Sequence, residues 1–206
     1  MNDLSTNNQS SHQADSKPSI AIVYHSNYGH TRRVAQAIAQ GANGQVGVSM
    51  VDIAAIDEQD WACIDAASLI VFGSAVYMGS VTAEFKTFMD STSKRWVART
   101  WQGKFAAGFA NSGGLSGDKL AVLQQLCLFA MQHGMNWVGM PLMPTGNSEE
   151  DLNRLSSFLG LMTQSADLPP ELSPCQGDIQ TAVWFGEHLA KTLLRFAPNS
   201  QTNQTV

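Results

Sequence analysis

The stretch Ser26-Asn27-Tyr28-Gly29-His30-Thr31 decides the fold of this chain, because it joins a buried strand to the start of a helix. It follows a β-branched apolar run at 19–24 and precedes a helix predicted over 31–40. The N–H groups of a first helical turn have no partner inside the helix and can bind an anion. Gly29 permits a positive φ or a close approach of the backbone. The stretch therefore predicts a pocket for a phosphate group.

The composition of this loop narrows the kind of phosphate. It contains no lysine, which excludes the Gly-x-x-x-x-Gly-Lys-[Ser/Thr] loop that binds a triphosphate with magnesium. It contains one glycine, so the Gly-x-Gly-x-x-Gly dinucleotide pattern is absent as well. The remaining interpretation is a phosphate monoester held mainly by backbone and hydroxyl groups.

The same alternation of strand and helix continues along the chain. Further strands are predicted at 46–51, 69–73, 105–110 and 135–140, and further helices at 57–67, 83–93, 119–132 and 181–196. Five repeats of this alternation predict an α/β fold, a doubly wound parallel sheet with right-handed crossovers. In such sheets ligands bind beyond the carboxyl ends of the strands.

Two later loops share the small and polar composition of the first. Residues 74–80 and 111–117 are rich in Gly and Ser, and each follows a predicted strand, as 26–31 does. Because the carboxyl ends of parallel strands lie at one edge of the sheet, the three loops are expected to converge. The phosphate is therefore expected to be one end of a larger ligand.

The segment 141–178 fits the alternation poorly. Ser148 and Asp151 resemble a helix-capping box, and a helical stripe follows at Leu152, Leu155, Leu159 and Met162. A helix is therefore predicted here. A connection this long is unusual unless it covers a site or packs on another subunit, and both interpretations remain open.

Charge and cysteine usage limit the function classes. The 206 residues include 12 basic and 17 acidic side chains, for a net charge of -5, which disfavours a nucleic-acid surface. Cys63, Cys127 and Cys175 share no Cys-x-x-Cys spacing, which is typical of reduced thiols in a cytoplasmic protein. The carboxylates show no spacing for a metal site, and no side chain is expected to act as a covalent catalyst.

The sequence predicts one domain between two loose tails. Residues 1–17 are rich in Ser, Asn and Gln and are expected to form a disordered tail, and 198–206 a flexible C-terminal tail. Residues 18–197 then form a single domain. Apolar runs are only a few residues long, so no membrane span is expected.

The motifs together resemble those of a known family. Ser26-x-Tyr-Gly-His is similar to the phosphate loop of the flavodoxin-like NAD(P)H:quinone oxidoreductases of the tryptophan-repressor-binding-protein (WrbA) type. The resemblance covers about residues 19–140 and includes Phe72-Gly73-Ser74, the helix at 85–90, Gly103-Lys104, Ser112-Gly113 and His133-Gly134-Met135. It implies a flavodoxin-like five-stranded parallel sheet of order 2-1-3-4-5, with helices on both faces.

The resemblance also implies a cofactor site for FMN. The phosphate would lie on Ser26, Asn27, Tyr28, Gly29, His30 and Thr31. One side of the flavin ring would lie along Val76, Tyr77, Met78 and Gly79. The ring and ribityl chain would meet Ser112, Gly113, Gly114, Leu115 and Gly117, and the pyrimidine side would meet His133. Substrate would contact Tyr28, which would face the nicotinamide, together with Tyr77 and Trp96.

Two loops depart from the family pattern. Where the family reads Pro-Thr-Arg-Phe-Gly-Asn, this chain has Ala75-Val76-Tyr77-Met78-Gly79-Ser80, which lacks the arginine. Leu115 and Ser116 replace family glycines. A charged contact to flavin or nicotinamide is therefore missing, and FMN retention and substrate preference are open.

The implied activity is a two-electron transfer. FMN would receive electrons from NADH or NADPH as co-substrate and pass them to a quinone-like acceptor. A flavodoxin-type one-electron carrier is an alternative, as is a flavodoxin fold that has lost FMN and acts by partner binding. Relatives of this type imply a homodimer or homotetramer.

Overall fold

The computed structural model describes residues 17–196. Residues 1–16 and 197–206 lie outside this range, so the tails predicted at 1–17 and 198–206 fall almost entirely outside the described residues. None of the helices within 17–196 combines the length and apolar character needed to cross a membrane. All three cysteines are free thiols.

The described chain forms a parallel sheet with helices on both faces. The strands are β1 Ser19–Tyr24, β2 Gly47–Asp52, β3 Leu69–Ala75, β4 Phe105–Ser112, β5 Asn136–Trp137 and β6 Leu161–Gln164. The helices are α1 His30–Ala42, α2 Glu58–Ala66, α3 Ala83–Ser91, α4 Ser93–Val97, α5 Lys119–Gln132 and α6 Gln176–Phe196, with a short 3₁₀ turn at Ile53–Ala55. The order β2-β1-β3-β4-β5, all parallel, confirms the predicted topology.

The fifth position of the sheet is filled by two pieces of chain. β5 pairs with Phe105 and Ala106 of β4, and β6 pairs with the other end of β4, at 109–112. Residues 138–160 leave the edge between the two pieces and return to it. The sheet is therefore five strands wide, with its edge strand interrupted.

The prediction of a helix around 148–162 is wrong. Asn153 and Ser156 have φ angles of 45° and 52°, which a right-handed helix does not permit. The Asn153 side chain holds this irregular path, because its amide donates to Leu142 O (2.7 Å) and accepts from Ser157 N (3.0 Å). From Leu161 onward, the chain forms strand β6, which pairs with the free edge of β4. Pairing with that edge outweighs the helical stripe of the sequence.

Alternating residues of β1 supply both sides of the core. Ile20 and Ile22 face a cluster with α1 and α6, whereas Ala21 and Val23 face a cluster with α3 and α5. A Cβ atom at Gly41 would lie 1.9 Å from Val183 O of α6, so glycine there permits the close approach of the two helices. Helices α1 and α6 thus form one outer layer. Because α1 follows β1, its amino end lies at the carboxyl ends of the strands.

Candidate functional site

A cavity of about 400 Å³ opens at the carboxyl ends of the strands. The three loops that the sequence singled out converge there, as predicted. Its lining comprises Ser26, Asn27, Tyr28, His30, Thr31, Ala75, Val76, Tyr77, Asn111, Ser112, Gly113, Ser165, Ala166 and Asp167. Its size is within the range of small-molecule and cofactor sites.

The first wall is the turn at 26–31, which presents backbone donors. Gly29, with φ 90°, precedes α1, and no side chain caps that helix at this residue. The Ser26 hydroxyl oxygen accepts from the N–H groups of Gly29 (3.1 Å) and Arg32 (3.2 Å). Among the residues that the structure describes, the N–H groups at 27, 28, 30 and 31 have no acceptor. They form a site for an anion at a helix amino terminus.

The second wall is a two-residue hairpin turn. The backbones of Tyr77 and Ser80 exchange two hydrogen bonds (3.0 and 3.1 Å), with Met78 and Gly79 at positive φ between them. Val76 and Tyr77 line the cavity, while the Met78 side chain is fully exposed at the tip. Met78 and Gly79, predicted to lie along the flavin, are therefore outside the lining of the cavity.

A buried polar group fixes the end of this hairpin. The Thr82 N–H donates to the Ser74 hydroxyl oxygen (3.1 Å), and the Thr82 hydroxyl lies 2.9 Å from Nδ1 of His25. The same hydroxyl oxygen accepts from Phe85 N (3.1 Å) and so caps α3. The second wall is thus tied to the carboxyl ends of β1 and β3.

The third wall follows β4, and a buried lysine supports it. Nζ of Lys119 donates to Ser112 Oγ (2.8 Å), Gly114 O (2.7 Å) and Leu115 O (3.0 Å). Burial lowers the pKa of Lys119 to about 8. Ser112 and Gly113 line the cavity, whereas Gly114, Leu115 and Gly117 lie beside it. Sequence reasoning placed Lys119 at a helix start and missed this contact.

Asn111 connects three parts of the site and was also missed. Its Oδ1 accepts from the hydroxyls of Thr163 (2.7 Å) and Ser165 (2.9 Å), and its backbone oxygen accepts from Val76 N (3.0 Å). Its Nδ2 has no acceptor within residues 17–196, and the residue lines the cavity. An amide side chain at the end of a central strand was the available signal for a ligand donor.

The fourth wall comes from the segment after β6. Ser165, Ala166 and Asp167 line the cavity, although no pattern in the sequence points to these three residues. The continuation packs on the phosphate loop: His30 Nε2 lies 2.8 Å from Leu168 O, and Arg33 Nη1 donates to Pro170 O at 2.8 Å. Part of the 141–178 segment therefore borders the site.

His133 and Trp96 lie in a different place. They line a second cavity, of about 380 Å³, between α3, α4 and α5. His133 precedes β5 and Trp96 precedes β4, so both lie at the amino edge of the sheet, opposite the first cavity. A single chain does not bring them to the other predicted site residues. Their contacts with flavin and substrate stay predictions.

The surroundings of His133 keep its ring neutral. Its Nε2 lies 2.9 Å from Thr92 Oγ1, and the ring packs on Trp101 and Phe129, with centroids 4.5 and 4.9 Å away. Nδ1 is buried without a partner in the described part of the chain. Burial, with Arg99 nearby, lowers the pKa of His133 to about 4.

The first cavity is suited to bind an anion through hydrogen bonds rather than through cationic side chains. No lysine or arginine is among its lining residues, and Asp167 is the carboxylate there. Arg32, at the start of α1, pairs with Asp52 (2.8 Å). Within 17–196, no group of His, Cys, Asp and Glu side chains is placed to hold a metal ion. The site can thus bind a phosphate through amides and hydroxyls, and the exposed rings of Tyr28 and Tyr77 offer it an aromatic surface.

Comparison with known proteins relates this arrangement to flavoproteins. Residues 61–149 match the family model described as NADPH-dependent FMN reductase. Flavodoxin FldP of Pseudomonas aeruginosa is 41% identical over 177 residues, which cover 82% of this chain and 94% of FldP. An NAD(P)H dehydrogenase (quinone) of Geotalea daltonii is 26% identical over 199 residues, covering 83% of this chain and 94% of that protein.

A solved structure is similar throughout the domain. The flavodoxin, WrbA-like protein from Agrobacterium tumefaciens superimposes with a TM-score of 0.69 at 37% identity. The match covers 86% of this chain and 98% of that protein. This chain is thus similar over most of its length to a WrbA-like flavodoxin.

Proposed function

This chain belongs to the flavodoxin-like, FMN-dependent NAD(P)H:quinone oxidoreductase family of the WrbA type, and on that premise we propose a specific activity for it. The proposed activity is a two-electron transfer from NADH or NADPH to a quinone-like acceptor, with FMN as the cofactor. The three free cysteines fit a cytoplasmic location, which is part of the proposal.

One observation carries the proposal. The N–H groups at 27, 28, 30 and 31, which have no acceptor within residues 17–196, lie at one end of the same cavity that Tyr77, Asn111 and Gly113 line elsewhere. A phosphate monoester attached to a planar ring satisfies both ends of such a cavity. Charge-assisted hydrogen bonds contribute about 1.5–3 kcal/mol each, so several amides can hold a dianion without a cationic side chain.

The residues present fit FMN. The turn at 26–31 would hold the phosphate, while Val76, Tyr77, Ser112, Gly113 and Asn111 would border the ribityl chain and ring. When bound, FMN supplies the redox chemistry of the reaction, and the protein orients it and sets the polarity around it. The amide donors after β4 favour an electron-rich ring at that wall.

The substrates need an open aromatic surface beside the cavity. Tyr28 is 74% exposed and Tyr77 is 40% exposed, and both border the cavity from opposite loops. Two such rings can stack on a nicotinamide or a quinone in turn, which supports one shared substrate position. No side chain there is required as a covalent catalyst.

Trp96 and His133 enter this proposal through a second copy of the chain. Both lie at the far edge of the sheet from the FMN position, so they can reach a flavin only across a contact between subunits. Trp96, Val97 and Leu128 are exposed apolar residues beside that second cavity. A homodimer or homotetramer therefore forms part of the proposed function.

The experiment is a test of cofactor and turnover together. Purified protein should be yellow, release FMN on denaturation and oxidise NADH or NADPH only when a quinone is present. Apoprotein that fails to take up added FMN would overturn the cofactor assignment. Sedimentation of the same sample tests the assembly, and a monomer with full activity would exclude a role for Trp96 and His133 at the site.

A one-electron carrier is the second candidate, because the relative with 41% identity is named a flavodoxin. A carrier would bind FMN equally well but would not oxidise NAD(P)H with a quinone. It would instead accept single electrons from a separate reductase and pass them to a protein partner. Turnover with NAD(P)H and a quinone, measured with FMN-loaded protein, separates the two candidates.

A further inference from the structure

Lys119 is the one fully buried lysine of the described chain, and it lies directly under the loop after β4. Its ammonium group reaches Ser112 Oγ, Gly114 O and Leu115 O within 3.0 Å. A lysine is rarely buried unless its charge is well compensated. Here three acceptors from one loop take its three hydrogen atoms, so the lysine and the loop form one unit.

The contacts of Lys119 fix the orientation of the loop peptides. In a trans peptide, the C=O of one residue and the N–H of the next point in opposite directions. Because Gly114 O and Leu115 O point at the buried ammonium, the N–H groups of Leu115 and Ser116 point away from the interior. Gln164 Nε2 acts similarly on Gly113 O at 3.0 Å. In residues 17–196, none of the N–H groups at 114–116 has an acceptor.

We propose that Lys119 is a positioning residue for flavin binding: by holding two carbonyl oxygens inward, it presents the amide donors of 114–116 to the ring in the neighbouring cavity. Without the ammonium group, Leu115 O would lose its hydrogen bond and Gly114 O would keep only the one from the Ser112 hydroxyl (3.1 Å), so both oxygens could turn toward solvent or the ring. A carbonyl beside an electron-rich ring is repulsive, whereas an N–H is attractive. The proposal rests on the proposed function, because it requires FMN in the cavity.

The charges around Lys119 make its contacts with the loop sensitive to pH. Asp178 of α6 favours its protonated form and Arg154 opposes it, while burial lowers its pKa to about 8. Asp178 and Arg154 pair with each other (2.8 Å), so their opposite effects partly cancel. The ammonium group is therefore lost as the pH rises through about 8, and the hold on the loop weakens in that range.

Lys104 offers a matched control. It is half-buried, its pKa is lowered by burial, and it donates to the backbone oxygens of Asp65 and Ala67. It precedes β4, however, at the edge of the sheet opposite the cavity. Lys104→Met and Lys119→Met thus remove the same kind of group, and only the second removes it from the flavin end of the molecule.

The test measures ligand affinity rather than activity. Dissociation constants of FMN and of riboflavin, which lacks the phosphate, are determined by flavin fluorescence for the apoprotein between pH 7 and pH 9. For the unmodified chain, affinity for both ligands should weaken as the pH rises through about 8. For Lys119→Met, affinity for both should be about tenfold weaker at pH 7, which corresponds to one lost polar interaction, and should no longer change with pH. Lys104→Met should follow the unmodified chain.

The backbone amide chemical shifts of the ligand-free protein give an independent readout. In Lys119→Met the amide signals of 114–116 should shift, because two carbonyl oxygens of the loop lose the ammonium group that orients them, whereas in Lys104→Met these signals should stay as in the unmodified chain. An effect confined to FMN would mean that the ammonium acts on the phosphate charge, which would overturn the positioning role. Equal affinities and pH profiles for Lys119→Met and the unmodified chain would overturn it too. An unmodified chain that binds neither flavin would refute the proposed function itself, and this inference with it.

Discussion

Oδ1 of Asn111 lies 2.9 Å from the hydroxyl oxygen of Ser165, and this hydrogen bond joins the end of β4 to the residue that follows β6. The two residues are 54 positions apart in sequence and line the same cavity. The bond occupies the amide oxygen and leaves the amide nitrogen for a ligand. The Oδ1 atom of Asn111 thus holds the site together, and we expect its Nδ2 group to contact the ligand.

Replacement of Asn111 by Asp tests the role of the Nδ2 group, because it keeps the oxygen that accepts from Ser165. The carboxylate can still accept from Ser165 and Thr163, but it puts a charge at a position that is 5% exposed, so the free energy of unfolding should fall by about 1–3 kcal/mol. The second oxygen replaces two donors by an acceptor, so FMN affinity should fall about tenfold or more. Asn136→Asp, an exposed position at the opposite edge of the sheet, is the control for added charge and should leave FMN affinity unchanged. Equal losses in both variants would show that the amide does not contact the ligand.

Replacement of Gly29 by Asp tests the phosphate loop. Gly29 has φ 90°, and a Cβ there would lie 3.0 Å from Cγ of Pro170, so the substitution brings strain as well as a negative charge. FMN retention should be abolished, because a carboxylate at the amino end of α1 competes with the phosphate for the same amides. Gly44→Asp has a comparable φ of 81° with open space around it and serves as the strain control. Retained affinity in Gly29→Asp would place the phosphate elsewhere.

The buried ring of His133 should make stability depend on acid pH. The folded protein holds the ring neutral to about pH 4, whereas a histidine in the unfolded chain takes up a proton below about 6.5. The unfolded state therefore binds more protons between these values, and the free energy of unfolding falls as the pH falls through that window. The full effect is about 3 kcal/mol. Urea denaturation from pH 7 to pH 4 should show a smaller loss for His133→Gln; identical slopes would mean that the ring is not held neutral.

The ion pair between Arg154 and Asp178 should be costly to break. Its side chains are only 6% and 3% exposed, and Nε lies 2.8 Å from the carboxylate. Arg154→Met leaves a buried carboxylate without its cation and should lower the free energy of unfolding by about 3 kcal/mol. Lys191→Met, which removes an exposed pair with Glu187, should change it by less than about 0.5 kcal/mol. Similar losses in both variants would indicate that the Arg154 pair is solvated.

The sequence predicted the first two thirds of the fold closely, because local patterns and long-range packing agree there. The turn at 26–31, the buried strand β3 and the helix α5 each carry an unambiguous apolar period or turn chemistry. The segment 148–162 was misjudged, because its leucine stripe indicates a helix while Asn153 and Ser156 have φ angles that a right-handed helix does not permit. No local pattern reports that the edge of β4 is free to accept β6.

The same distinction applies to the candidate site. Side chains placed by a local turn, such as those of Ser26, Asn27 and Tyr28, line the cavity as the sequence predicted. Asn111, Lys119 and Asp167 were missed as site residues, because their roles depend on partners more than a turn away or on a segment without a clear pattern. His133 shows the opposite case, since its motif is local but its position relative to the cavity is set by the direction of the strand that follows it.

By itself, the sequence determined that the chain forms a parallel α/β sheet with a polar turn at 26–31 before α1, because apolar periodicity and turn chemistry are local properties. Only the tertiary structure decided which residues complete the cavity beside that turn. The split edge strand brings Ser165 to Asn111, and the buried Lys119 turns the carbonyls of its loop inward. Both arrangements depend on hydrogen bonds whose partners are brought together only when the sheet has formed.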